Sequence, residues 1–335
     1  MRAKSARLHA RWMRAYVVLA AASLWLTQAT AASAQSFPNG PVRLIVPFAA
    51  GGNADVLARG VAAALAELWG QQVYVDNKGG ANTQIGAAEV AKAPKDGHTL
   101  MLTSEGTFVM NPFLFSKLSY DPANDFTPIT ALVALKQVLM VNNSIAANSV
   151  KELIALAKGK PGALTYGTTG AGSSSHLNAE MLQNMAGIKL VAVHYRGSGP
   201  AMNDLLGGHI QMMFAGAGIA IEQHQAGKLR ILATGSKTPV EGLPWIPTIA
   251  ESGLPGFDGT SWFGLFAASA TPKPIIDKIN ADVKRIFDNA TFQERFLKVN
   301  KLESMITSPE EFAASIDDGR ARWGKVIRDA NLKMD

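Results

Sequence analysis

The sequence predicts an α/β fold of two domains, and three observations carry that prediction. Short β-branched runs alternate with segments of helical spacing along the chain; two strand–glycine–helix junctions stand far apart; and some 300 residues follow the leader. Alternation of this kind argues for parallel sheets covered by helices, because parallel strands need helical crossovers. A chain of this length divides more naturally into two domains than it grows one core.

The leader comes first. Arg2, Lys4, Arg7, Arg11 and Arg14 precede the apolar run Ala15 to Leu26 and the small-residue site Ala32-Ser33-Ala34. That is the pattern of a secretory signal peptide over residues 1–34, with cleavage near Ala34 and export to the periplasm. Its removal changes the charge balance: 27 basic residues remain against 26 acidic ones, a net charge of +1. No affinity for nucleic acid follows from so small an excess. Cysteine is absent, so the exported protein relies on its core and not on disulfides.

The first junction is Pro41 to Arg59, PVRLIVPFAAGGNADVLAR. Val42 to Val46 reads as a buried strand, Gly51-Gly52 as a turn, and Asn53 as the N-cap of a helix that keeps apolar spacing to Leu68 and ends at Gly70. A helix start with free N–H groups attracts anions. Asp55, in the first helical turn, is expected to brace the loop from behind.

Further strands are expected at Val73–Asp76, Thr99–Thr103, Gln137–Asn142, Leu164–Gly167, Leu190–Tyr195, Ile210–Phe214, Leu229–Thr234 and Trp262–Ala267. Helices are expected at Gln84–Ala91, Val150–Ala157, Ser174–Met185, Pro200–Leu206, Ile219–Ala226, Ile275–Phe287 and roughly Pro309 to Ala330. Ser149 with Glu152, and Thr307 with Glu310, have the spacing of capping boxes. Phe126–Gln137 and Gly253–Trp262 are the expected crossovers between domains.

The second junction runs from Leu164 through Gly167-Thr168-Thr169-Gly170-Ala171-Gly172-Ser173-Ser174-Ser175 to His176-Leu177. It offers exposed amides and hydroxyls with no repelling carboxylate, although Ser173 or Ser174 also suits a plain N-cap. Neither junction has a nucleotide fingerprint. Gly172-Ser173-Ser174-Ser175-His176 lacks the final glycine of a nucleophile elbow, and the histidines show no metal-ligand spacing. No catalytic residue, metal site or cofactor is expected, and His176 is read as a helix-surface or loop-bracing residue. Two donor-rich helix starts, one from each half, suggest a cleft that holds an anionic ligand.

Pro47-Phe48-x-x-Gly51-Gly52-x-x-Asp55-x-x-Ala58-Arg59, the Tyr166 to Leu177 stretch, and Tyr195-Arg196-Gly197-x-x-Pro200-Ala201-x-x-Asp204-Leu205-Leu206-Gly207-Gly208 together resemble the Bug family. These are TctC-like extracytoplasmic solute receptors of tripartite tricarboxylate transporters. The resemblance implies a type II periplasmic binding protein, a Venus flytrap of two α/β domains joined by crossover strands. Residues 36–135 plus 257–335 would form domain 1 and 136–256 domain 2. It also implies a monomer that captures a small carboxylate and delivers it to membrane permease subunits. Two alternatives stay open: a receptor presenting ligand to a sensor kinase, and an exported serine hydrolase using Ser173 or Ser174. The implied ligand-binding residues are Phe48, Ala50, Gly51, Gly52, Asn53 and Asp55 on the first loop, and Gly167, Thr168, Thr169, Gly170, Ala171, Gly172, Ser173 and Ser174 on the second. Ser104 and Ala215 complete the set. Ala215 stands where relatives often carry an aspartate, which disfavours an amino acid and favours a plain dicarboxylate, aliphatic or aromatic. Glu105, if ionised and facing the cleft, would repel a second carboxylate, so it points away, meets a protonated or cationic group, or narrows the ligand range.

Overall fold

Two mixed sheets, one of six strands and one of five, organise the computed structural model. It describes residues 37–195, 197–240, 243–300 and 302–334, so the signal peptide lies outside the described residues. All that follows belongs to the compact unit Gly40–Asp335.

The first half runs β1 (Val42–Val46), α1 (Asn53–Trp69), β2 (Val73–Asn77), α2 (Gln84–Ala91), β3 (Thr99–Ser104), a π-helical turn (Gly106–Met110), α3 (Asn111–Leu114) and β4 (Phe126–Leu135). The chain then enters the second sheet through β5 (Gln137–Asn142), α4 (Val150–Gly159), β6 (Thr165–Thr168), α5 (Ser174–Ala186), β7 (Val191–His194), α6 (Ser198–Gly207), β8 (Met212–Gly216), α7 (Ala217–Gln225) and β9 (Leu229–Thr234). It returns through β10 (Ser261–Ala268), α8 (Lys273–Phe287), β11 (Glu303–Ser304) and α9 (Pro309–Asp329).

Strand order is β11-β4-β10-β3-β1-β2 in one sheet and β7-β6-β8-β5-β9 in the other. β1, β2 and β3 are parallel, as are β6, β7 and β8, whereas β10 runs antiparallel to β3 and β4, and β5 antiparallel to β8 and β9. The expectation of parallel sheets therefore holds for the βαβ portions alone. Strands that carry the chain between the sheets enter against the grain.

Phe126–Gln137, expected as a crossover, is a ten-residue strand up to Leu135, and the passage narrows to Lys136. Pro128 within that strand has no N–H to donate to the ladder. It is tolerated because the two-residue β11 pairs only with Val133 and Ala134, leaving the start of β4 at a sheet edge.

Helix caps refine the sequence reading. α1 begins one residue after Gly52, and no side chain caps it, so Asn53 is its first helical residue and not its cap. Gly70 closes the same helix with φ 62°, a conformation that favours glycine. Ser149 caps α4 by accepting from the Glu152 N–H at 3.2 Å, while the Glu152 carboxylate reaches back to the Asn148 amide. The terminal capping box is Ser308 with Glu311, one residue beyond the expected pair, and places Pro309 at the first helical position.

The cores are apolar and dense. Ile45, Met101, Phe108 and Phe266 pack under the first sheet, and Trp323 of α9 is fully buried with them. Val138, Met213, Leu205 and Ile231 fill one face of the second sheet. No helix among the described residues is long and apolar enough to cross a membrane.

Candidate functional site

The carboxyl ends of β1, β3, β6 and β8 face one cavity of about 860 Å³ between the two sheets. Such a volume lies in the range of small-molecule sites.

The second glycine loop forms one wall, with Thr169, Gly170, Ala171, Gly172, Ser173 and Ser174 all lining the cavity. Its shape is set locally. Gly170 and Gly172 have φ 146° and 69°, values a side chain would strain. Ser173 caps α5 by accepting from the His176 N–H. The Thr169 N–H goes to Ser175 Oγ at 2.9 Å, that of Gly170 to Thr168 Oγ1 at 3.3 Å, and that of Gly172 to His176 Nδ1 at 3.0 Å. Among the described residues, the amides of Ala171 and Ser174 meet no protein acceptor. Those two, at the start of a helix, are the donors the loop can offer an anion.

Across the cavity stand Phe48, Asn53, Asn82, Thr83 and Ser104. Ala81, Asn82 and Thr83 take φ of 46°, 50° and 75°, three successive left-handed residues without a glycine. Such strain persists only where surrounding contacts over-determine it. Here Asn111 does so, accepting from Asn82 Nδ2 and donating to the Asn82 carbonyl, both at 2.8 Å, while Thr107 Oγ1 donates to Thr83 Oγ1 at 2.9 Å. The result turns the Asn82 and Thr83 amides free of protein acceptors among the described residues. Phe48 and Phe263 meet edge to face at 6.0 Å and give the cavity an aromatic patch.

Ala215 also lines the cavity, but Ala50, Gly51, Gly52, Asp55, Gly167 and Thr168 do not. Asp55 is buried, and its Oδ2 accepts from the Gly51 N–H and from Arg59 Nε, each at 2.9 Å. The Arg59 guanidinium holds that carboxyl below the usual range, and the loop amide it occupies is spent. Gly167 is a packing glycine: a Cβ there would stand 2.4 Å from Ile210 Cδ1. Thr168 Oγ1 is shared between the Gly170 amide and His194 Nδ1.

His176 is buried and not on the helix surface, and it braces the loop through Gly172. Desolvation, reinforced by neighbouring His194, pushes its pKa down to about 4. Ser173 Oγ lies against Ser175 Oγ at 2.9 Å and the His176 backbone N–H, so the imidazole does not activate it as a base would. Glu105 is buried away from the cavity. Its Oε1 accepts from Trp323 Nε1 at 3.0 Å, and burial raises its pKa to about 7.

Several wall residues escaped the sequence reading: Asn82, Thr83, Lys136, Gln137, Ser198, Lys298, Val299, Asn300, Leu302 and Glu303. Three successive left-handed residues, none of them glycine, leave no local trace beyond Asn82. Lys136 and Leu302 depend on how remote strands are brought together.

Fold and cleft define a two-lobed α/β binding protein of the type II periplasmic class. Residues 57–332 match the family described as tripartite tricarboxylate transporter family receptor, TctC, and the chain belongs to that family. It is 32% identical over 303 residues to Protein BugT of Bordetella pertussis, covering 90% of this chain and 93% of that one. Among solved structures, R. palustris Rpa4515 with adipate is similar at 34% identity and a TM-score of 0.80, covering 89% of this chain and 100% of the other. MatC (Rpa3494) from Rhodopseudomonas palustris with bound malate matches at 31% identity and a TM-score of 0.76, covering 87% of this chain and 100% of that one.

Proposed function

We propose that this protein captures a small carboxylate in the cleft and delivers it, in the periplasm, to the permease subunits of a tripartite tricarboxylate-type transporter. The carrying observation is that amides of Ala171 and Ser174, without protein acceptors, face Asn53, Asn82, Thr83 and Ser104 across a single cavity. One carboxylate sits on the 169–174 loop, and the opposing donors hold the ligand directly or through water. Charge-assisted hydrogen bonds contribute roughly 1.5–3 kcal/mol each, so three or four support about micromolar capture after association costs.

In this reading residues 36–135 with 257–335 move as one domain and 136–256 as the other, closing because ligand donors come from both. Adipate and malate in related proteins support carboxylate as the ligand class. A thermal-shift screen of mono-, di- and tricarboxylates tests it, since a bound ligand raises the melting temperature by mass action. The expected result is a shift with at least one carboxylate, accompanied by a smaller radius of gyration in solution scattering. Silence across the whole panel would remove the proposal. Loss of uptake, and not merely of induction, in a deletion strain assigns the role to transport.

A further inference from the structure

Strand order gives the cavity two unlike ends. In the second sheet the glycine loop follows β6, Ala217 to Ile221 follow β8, and Val240 follows β9, and these strands lie in the order β6-β8-β5-β9. In the first sheet Asn82 and Thr83 follow β2 at one edge, while Leu302 and Glu303 lie at β11, the other edge. Two contacts show which edges face each other. A Cβ on Gly172 would stand 3.8 Å from Asn82 Nδ2, so the glycine loop faces the β2 edge. Lys136 Nζ lies 2.7 Å from Glu303 Oε2 and 2.8 Å from Thr238 Oγ1, so the β9 loop faces the β11 edge.

The polar donors therefore collect at the first end. Val240, Val299 and Leu302 collect at the second, and Ile219 and Ile221, which follow β8, line the wall between the two. Among the described residues, the cations that line that second end are already matched. Lys136 gives its N–H groups to Thr238 Oγ1, the Pro239 carbonyl and Glu303, and Lys298 pairs with Glu294 at 2.6 Å. With those two cations already engaged and Glu222 also on the cavity wall, a second ligand carboxylate arriving there would meet like charge and no matching ammonium among the described residues. Ile219 and Val299 are 38% and 69% exposed, apolar surface that a ligand could remove from water.

We propose that the ligand is an amphipathic monocarboxylate: its carboxylate lies on the glycine loop, and an alkyl or aryl-alkyl body runs to Ile219, Ile221, Val240 and Val299. This rests on the carboxylate-capture reading and departs from the expectation of a dicarboxylate.

Calorimetric titration of the purified protein with butanoate, hexanoate and octanoate, beside the dicarboxylates of equal carbon number, tests it. The dissociation constant should fall by roughly fourfold per added methylene, with each monoacid tighter than its matched diacid. Diacids binding as tightly as monoacids or tighter would overturn the inference while leaving carboxylate capture standing. No binding by either series, with malate and citrate also silent, would remove the capture reading as well. Val299→Lys, at an exposed position that folding does not need, places a cation at the far end. It should weaken octanoate and tighten octanedioate by about tenfold or more. Unchanged affinities for both in the folded variant would put the tail elsewhere and overturn the assignment.

Discussion

Arg322 Nη1 donates to Asp258 Oδ2 at 2.6 Å, tying the C-terminal helix to the segment by which the chain returns from the second sheet to the first. The same guanidinium approaches Glu105 Oε1 at 3.4 Å, where Trp323 Nε1 also donates, while Glu105 Oε2 has no hydrogen-bond partner among the described residues. One cation thus serves a carboxylate of the return segment and another buried at the end of β3.

Burial dominates at Glu105, so its pKa rises from 4.5 to about 7 despite Arg322. A carboxyl that holds its proton more tightly when folded adds most to stability below its unfolded pKa and loses that contribution as pH rises through the folded value. Glu105→Gln is therefore expected to gain on wild type between pH 5 and 8, by about 3 kcal/mol at the upper limit. Urea denaturation at pH 5 and pH 8 checks it; an equal difference at both values contradicts the assignment.

His176 has the opposite slope. Its folded pKa, about 4, lies below the ordinary 6.5, so its contribution is complete above pH 6.5 and is lost as pH falls toward 4. The loss is up to about 3 kcal/mol. Between pH 5 and 6.5 the two groups oppose each other. The Glu105→Gln protein should show the histidine's slope and a His176→Ala protein the glutamate's. His176→Ala also leaves the buried Gly172 N–H without an acceptor, a cost of about 1–3 kcal/mol at any pH. Parallel melting curves for the two variants across this range would rule out the pair.

Glycines of the two loops are not equivalent. Gly172 has φ 69°, and a Cβ there would lie 2.5 Å from Met334 Sδ and 2.8 Å from Leu114 Cδ1. Gly52 has φ −86°, and its Cβ would meet only Ala49 O at 3.8 Å. Gly172→Ala and Gly170→Val are expected to weaken carboxylate binding by at least tenfold, whereas Gly52→Ala should stay within about 0.5 kcal/mol of wild type in stability. Binding titrations on the three proteins decide; equal losses at Gly52 and Gly172 would return Gly52 to the ligand site.

Asn111 holds the left-handed run Ala81 to Thr83 in place. Asn111→Ala should cost about 2–4 kcal/mol, because a buried network loses its centre. It should also weaken ligand binding as Asn82 and Thr83 relax. Asn111→Asp keeps one acceptor and is expected to fall between. Chemical denaturation with parallel ligand titration measures both effects, and a destabilised protein with intact affinity would detach this loop from the site.

The alternation of strands and helices, both glycine junctions and the bracing role of Asp55 were legible in the chain because each is a local matter: side-chain period, backbone freedom and a carboxylate four residues from its arginine. The same locality explains why Thr169 to Ser174 could be singled out as cavity residues. What the sequence by itself determined is a helix start with amides to spare. Whether an amide is spare was decided by tertiary structure, because Asp55 takes the one at Gly51 and His176 the one at Gly172, while those at Ala171 and Ser174 remain. Lys136, Leu302 and Val299 entered the cavity wall only when the edges of two sheets met. The matching of Lys136 at that far end comes from contacts more than a hundred residues apart in the chain, which no local pattern encodes.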